Sequence, residues 1–194
     1  NIALPYMISC MTGGTDETNN INKKLAESAR ALNIPLGLGS LRYAIETDAH
    51  DHLIEEIAEL ASPAPVVGII GIAQVCKNEG MSKLKKLVKS TGMTAMAVHL
   101  NPAQELFQPE GEWNFSGLRK AFRNFCEQIE IPVIAKEVGS GISGEAANIL
   151  LKNGAKAIDT AGAGGTSWTA IEFLRSKEAG LNQEIFHDWI YSCY

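Results

Sequence analysis

His99, Asn101, Gln104 and Glu105 fall in one short run, His99-Leu-Asn-Pro-Ala-Gln-Glu105, which continues through Pro109-Glu-Gly to Glu112. A histidine can carry a proton near neutral pH, and a carboxamide can position a polar group. Glu105 is suited to a hard divalent cation that shares its coordination with substrate phosphate oxygens. His99 alone would equally serve as a satisfied structural histidine, and the carboxylates alone would suit a solvated loop. Their density in one place argues for a site.

Four further segments carry chemistry. Lys136-Glu137 closes an apolar run ahead of Val-Gly139-Ser-Gly141. Lys136 there either steers a bound anion or pairs with Glu137, and the residues leave both open. Gly39-Ser40-Leu41-Arg42 offers a hydroxyl and a guanidinium able to grip phosphate. In Met11-Thr12-Gly13-Gly14 two glycines allow close backbone approach to a ligand, although a plain turn has the same composition. Gly162-Ala-Gly-Gly-Thr166-Ser-Trp168 opens a helix, where N–H groups and hydroxyls can meet an anion or simply cap the helix. His50 and His52 are two apart and face different sides of a helix, so a solvated helix start is the expectation rather than a metal site.

These segments follow short apolar runs at 4–10, 35–39, 65–72, 94–100, 132–137 and 156–162, read as strands. Helical periodicity fills 20–32, 48–60, 81–90, 115–129, 143–152 and 167–177. Asn33-Ile-Pro and Glu130-Ile-Pro end helices ahead of strands. Nearly continuous apolar strands suit a parallel sheet buried under helices. The spacing of roughly 30 residues is that of a βα unit. Polar and Gly-rich signatures after at least five strand ends favour the rim of an α/β, TIM-type (β/α)8 barrel over the single switch point of a doubly wound sheet. About six units are present in one partial domain, 1–194, against eight in a barrel of about 250 residues. The expectation is an incomplete barrel lacking residues at both ends.

Composition narrows the classes. The 194 residues are 45% hydrophobic and 20% charged, ordinary for a globular domain. A net charge of -5 disfavours a general nucleic-acid surface. Cys10, Cys76, Cys126 and Cys193 show no metal-site spacing, and no apolar run nears the roughly 20 residues of a membrane helix. The expectation is a cytoplasmic protein with no nucleic-acid or membrane partner.

In this order the segments resemble the type 2, FMN-dependent isopentenyl-diphosphate isomerase family, from Ile8 to about Trp189. His99-Leu-Asn-x-x-Gln-Glu followed by Pro-Glu-Gly is the most specific part. Met-Thr-Gly-Gly, Val-Ile-x-Lys-Glu-Val-Gly-x-Gly and Ala-Gly-x-Gly-Gly-Thr-Ser-Trp add to it. The resemblance implies interconversion of isopentenyl and dimethylallyl diphosphate, with reduced FMN, Mg²⁺ and NADPH as flavin reductant, in a homo-oligomer. It implies that Met11, Thr12, Gly13, Ser40, Asn101, Lys136 and Thr166 line FMN. It assigns Gln104 and His99 to catalysis, Arg42 and Gln104 to the diphosphate substrate, and Glu105 to the metal.

The sequence departs from the family pattern at Leu41, where glutamine is usual, and at Ile69, where an asparagine commonly faces the flavin. The N-terminal Arg-Lys pair and the seventh and eighth strands have no counterpart, and the chain diverges after Trp189. Two rivals follow. A barrel fragment without catalysis would explain Leu41 and Ile69. Another FMN-dependent barrel oxidoreductase would lack the Gln-Glu…Pro-Glu-Gly loop.

Overall fold

The computed structural model describes residues 3–10, 12–13, 16–47, 51–77, 80–108, 111, 114–164 and 166–178. Along the chain run α1 (Asp16–Leu32), β1 (Leu36–Ser40), α2 (Arg42–Glu46), α3 (Asp51–Ala61), β2 (Val66–Gly71) and α4 (Ile72–Lys77). Then come α5 (Met81–Thr91), β3 (Ala95–His99), α6 (Pro102–Phe107), α7 (Leu118–Gln128), β4 (Val133–Lys136), α8 (Gly144–Lys152), β5 (Ala157–Asp159) and α9 (Trp168–Glu178). The five strands form one sheet in the order β1-β2-β3-β4-β5, every neighbouring pair parallel. That sequential order is singly wound; a doubly wound sheet would reverse direction partway.

Alternation along each strand divides the side chains between two faces. Leu36, Leu38, Val66, Ile70, Met96, Val98, Val133 and Ala135 enter the large core. There they meet helix residues such as Ala26, Ala29, Ile57, Leu84, Leu87, Phe122 and Phe125. The other face carries a small cluster of Cys10, Val67, Ile69 and Ala97 with no helical member. Helices therefore cover one side of the sheet. They pack in turn against each other, α1 on α3, α3 on α5 and α4 on α7. No helix among the described residues is long and apolar enough to cross a membrane.

Five of the six expected strands are present, four of them within one residue at each end, while the run at 156–162 is a strand only over Ala157–Asp159. The sixth, over 4–10, is reduced to a single parallel bridge between Ile8 and Leu36. Pro5 has no N–H for a ladder, and residues 4–7 are exposed. Ile8 is gripped on both sides, its N–H donating to Pro35 O at 3.0 Å and its carbonyl accepting from Gly37 N at 2.7 Å. Gly37 permits this approach, since a Cβ there would stand 2.6 Å from Cys10 N.

Three helices of five or six residues, α2, α4 and α6, escape the periodicity reading. Each follows the C-terminal end of a strand. α6 starts with Pro102 at its first position, where the missing N–H costs nothing. That proline reads as a loop signal in the sequence, yet it opens the helix that carries Gln104 and Glu105.

Candidate functional site

The register sets Gly71, His99, Lys136 and Asp159 side by side at the C-terminal ends of β2 to β5, on the face away from the helical core. Above them a cleft of about 190 Å³ is lined by Cys10, Ser40, Ile69, His99, Gln104, Lys136, Val138 and Trp168. Four expected site residues, Ser40, His99, Gln104 and Lys136, thus share one cavity although they come from three different βα units.

Hydrogen bonds orient them. His99 Nδ1 lies 2.9 Å from Asn101 Oδ1, which can only accept, so the ring carries its proton on Nδ1 when neutral. The Asn101 amide cannot flip without loss, because its Nδ2 donates to Gln104 Oε1 at 3.2 Å and to Glu105 Oε1 at 3.4 Å. Gln104 Nε2 then donates to Glu172 Oε1 at 3.3 Å. Glu172 also accepts from Gln108 Nε2 at 3.2 Å and from Arg175 at 2.6 Å. Both amides are therefore fixed by buried carboxylates. Burial lowers the affinity of His99 for a second proton below its ordinary value, against the opposing pull of Asn101 and Glu105.

Lys136 is buried, and its ammonium finds two acceptors. It lies 3.2 Å from Asp159 Oδ2 and donates to the main-chain oxygen of Glu137 at 3.1 Å. The partner of Lys136 is thus the neighbouring strand's Asp159 rather than the Glu137 carboxylate. Glu137 turns the other way and takes the N–H groups of the loop that follows it. Beneath the lysine, burial pushes the Cys10 thiol up to about 11, which Lys136 offsets only in part.

The remaining expected residues lie elsewhere. Asn101 is 2% exposed and supports the cleft from behind, while Glu105 is buried beside it and does not line the cleft. Thr12 lines a separate cavity of about 40 Å³ against β1, α1 and α3, which Ser40 also reaches. The Gly13 carbonyl accepts from Thr18 Oγ1 at 2.5 Å and Asn22 Nδ2 at 3.0 Å, so it anchors α1. Arg42 points along its own helix, with Nε 3.0 Å from Glu46 Oε1. Thr166 is exposed two residues before Trp168. Met11 and His50 lie outside the described residues, and His52 is exposed on α3 as expected for a solvated helix start.

Glu172 and Asp159 were not anticipated, and Trp168 figured only as the end of the 162–168 segment. Trp168 and Glu172 are four apart on α9, hence on one face, and that spacing is the sequence signal that could have linked them. The two departures from the family pattern are apolar in effect. Ile69 forms part of the cleft floor, and Leu41 is fully buried in the main core.

No family model matches the chain. Curated relatives do. An isopentenyl-diphosphate delta-isomerase of Chlorobium phaeobacteroides is 44% identical over 174 residues, 90% of this chain and 48% of the relative. The Vibrio parahaemolyticus protein of the same name is 40% identical over 97% of this chain and 56% of its own length. That of Metallosphaera sedula is 38% identical over 97% of this chain and 53% of its own. The chain's homologues are named isopentenyl-diphosphate delta-isomerases. It spans about half the length of these relatives. Among solved structures, N-acetylneuraminate lyase of Mycoplasma synoviae superposes at a TM-score of 0.49 and 10% identity, over 89% of this chain and 59% of the lyase, too distant to bear on chemistry.

Proposed function

We propose that the chain supplies part of the active site of a type 2, FMN-dependent isopentenyl-diphosphate isomerase built on a (β/α)8 barrel. The observation that carries the reading is that Gln104 and Lys136 line one cleft at the C-terminal ends of sequential parallel strands. That edge is where barrel enzymes assemble their sites. Similarity to isomerases over nearly the whole chain supports the same choice.

The reaction is a 1,3-proton shift: a C–H bond forms at the terminal methylene carbon, the double bond moves inward, and a C–H bond breaks on its far side. No net oxidation occurs. Reduced FMN, when bound, supplies the acid/base strength that an unactivated alkene requires, and NADPH serves as its reductant. Lys136 would face the flavin across the apolar floor of Cys10 and Ile69, with Ser40 at the edge. At about 190 Å³ the cleft takes the edge of a planar ring rather than a whole nucleotide, whose sites start at roughly 300 Å³. The fit is thus partial among the described residues. Met11, Thr12, Gly13, Asn101 and Thr166 remain assigned to the flavin's surroundings by resemblance.

Gln104, tied at both ends of its amide, would hold the allylic carbons in place, with Glu172 as the acid behind it. His99 presents Nε2 as an acceptor while its Nδ1 is committed to Asn101. Arg42 would reach the diphosphate by leaving Glu46, an exposed pairing that costs little to break. Among the described residues no group of three or more His, Cys, Asp or Glu could hold a metal ion. Mg²⁺ remains assigned to Glu105 and substrate phosphate oxygens by resemblance, a donor set that this ion accepts, and reaching it would require Glu105 to turn from its place behind the cleft.

The test is to titrate the purified chain with FMN, reduce it, and add isopentenyl diphosphate with Mg²⁺. Weak, saturable flavin binding with little turnover by the chain alone is expected, and what dimethylallyl diphosphate it forms should be lost in Gln104→Ala. Flavin binding without turnover would favour the second reading, a barrel fragment without catalysis, which the apolar Ile69 on the cleft floor supports. Absence of flavin binding would sink the FMN reading altogether.

A further inference from the structure

The loop between β4 and α8 holds a carboxylate in an unusual setting. Glu137 Oε2 accepts from four consecutive backbone N–H groups: Val138 at 2.6 Å, Gly139 at 2.6 Å, Ser140 at 2.5 Å and Gly141 at 3.2 Å. Glu137 is 8% exposed. Successive N–H groups that converge in this way form a concavity suited to an anion. Here the chain fills the concavity with its own side chain.

The loop is also a shared wall. Val138 lines the cleft, whereas Glu137, Ser140 and Gly141 line a second cavity of about 680 Å³ between α6 and α8. Gly139 and Gly141 have φ of 152° and 83°, and a Cβ added to them would stand 3.9 Å from Thr166 O and 3.8 Å from Gly162 Cα respectively. The main chain of Glu137 joins the two strands at the cleft, since its N–H donates to Asp159 O at 3.1 Å and its carbonyl receives the Lys136 ammonium.

From this geometry we infer that Glu137 is a positioning residue: by drawing four N–H groups onto one oxygen, it fixes the loop that holds the Lys136 ammonium at the cleft. A flexible glycine loop in this place would have many conformations, and the peptide carbonyl that anchors Lys136 would move with them. The carboxylate collapses that freedom into one arrangement. The role goes beyond the isomerase reading and stands whichever anion or ring Lys136 serves.

The experiment needs neither flavin nor substrate. Backbone amide exchange at 138–141 and acylation of the Lys136 amine are followed by mass spectrometry in the native chain, Glu137→Ala and Glu137→Gln. In Glu137→Ala both rates should rise by about tenfold or more, as expected for local opening. Glu137→Gln keeps an oxygen that accepts N–H bonds and should return both rates most of the way. If Glu137→Ala does not fold, Gly141→Ala strains the same loop with the carboxylate in place and should expose Lys136 likewise. Lys136 acylation at the native rate in a variant whose loop amides exchange faster would overturn the inference. So would a Glu137→Gln variant as open as the alanine form.

Discussion

Lys136 and Asp159 occupy paired positions on adjacent parallel strands, and their charges meet at 3.2 Å where β4 and β5 reach the cleft. The two partners differ in exposure, 8% for the lysine side chain and 39% for the aspartate. Removing them should therefore have unequal effects. Asp159→Ala leaves a buried ammonium with a main-chain acceptor only and should cost about 2 kcal/mol, whereas Lys136→Met removes the buried charge and should cost less than 1 kcal/mol. Urea denaturation of the two variants tests this ordering. Equal losses would mean that the pair contributes as an exposed one.

Stability should depend on pH through His99. Its folded form takes up a proton at a pH below the ordinary 6.5, because burial penalises the charge. Between that lowered value and 6.5 the unfolded chain binds the proton and the native chain does not. The contribution is thus complete above 6.5 and declines as pH falls towards the lowered value. The urea midpoint should be lower at about pH 5.5 than at about pH 7.5, and His99→Gln should reduce the difference. An unchanged pH dependence in that variant would assign it to other groups.

The thiols of Cys10 and Cys126 should be slow to alkylate. Burial pushes both up to about 11, so each remains protonated at neutral pH. At about pH 7.5, iodoacetamide should label Cys10 at least tenfold more slowly in the native chain than in urea. Site-resolved mass spectrometry distinguishes it from Cys126, which is partly exposed and should label sooner. Rapid native labelling of Cys10 would contradict its place on the cleft floor.

Gly39 should tolerate no side chain. A Cβ there would run into the Thr12 carbonyl, only 2.6 Å from its carbon, and backbone cannot turn aside as a side chain can. Gly39→Ala should cost about 3 kcal/mol or more, beyond the usual range of overpacking. By contrast Gly92→Ala meets no neighbour within 4 Å and strains only a left-handed φ of 65°. Its loss should be about 1 kcal/mol. Thermal melts of the pair separate steric exclusion from backbone preference.

Much of this architecture is legible in the residues. The apolar runs ending at Gly39, His99 and Glu137 locate strands because a buried parallel sheet demands them, and the polar residue after each run marks the cleft. His99, Gln104 and Lys136 converge for that reason alone. Arg42 does not, because a short helix follows β1 directly and Glu46 stands one turn away to receive it. The Leu4–Cys10 run has strand composition, but Pro5 denies it a ladder. Glu172 was hidden by context: an acid within a helix usually faces solvent, and only the packing of α9 against α6 turns it inward.

Each strand of the sheet pairs with the one just before it in the chain. Contacts formed in that sequence span one βα crossover at a time, so assembly can proceed by successive addition of single βα units, at modest entropic cost for each. The cleft, however, needs β1 through α9 at once, because Ser40 from β1 and Trp168 from α9 both line it. Folding can be gradual along this polypeptide, while competence to bind is reached only when the last of those pieces has docked.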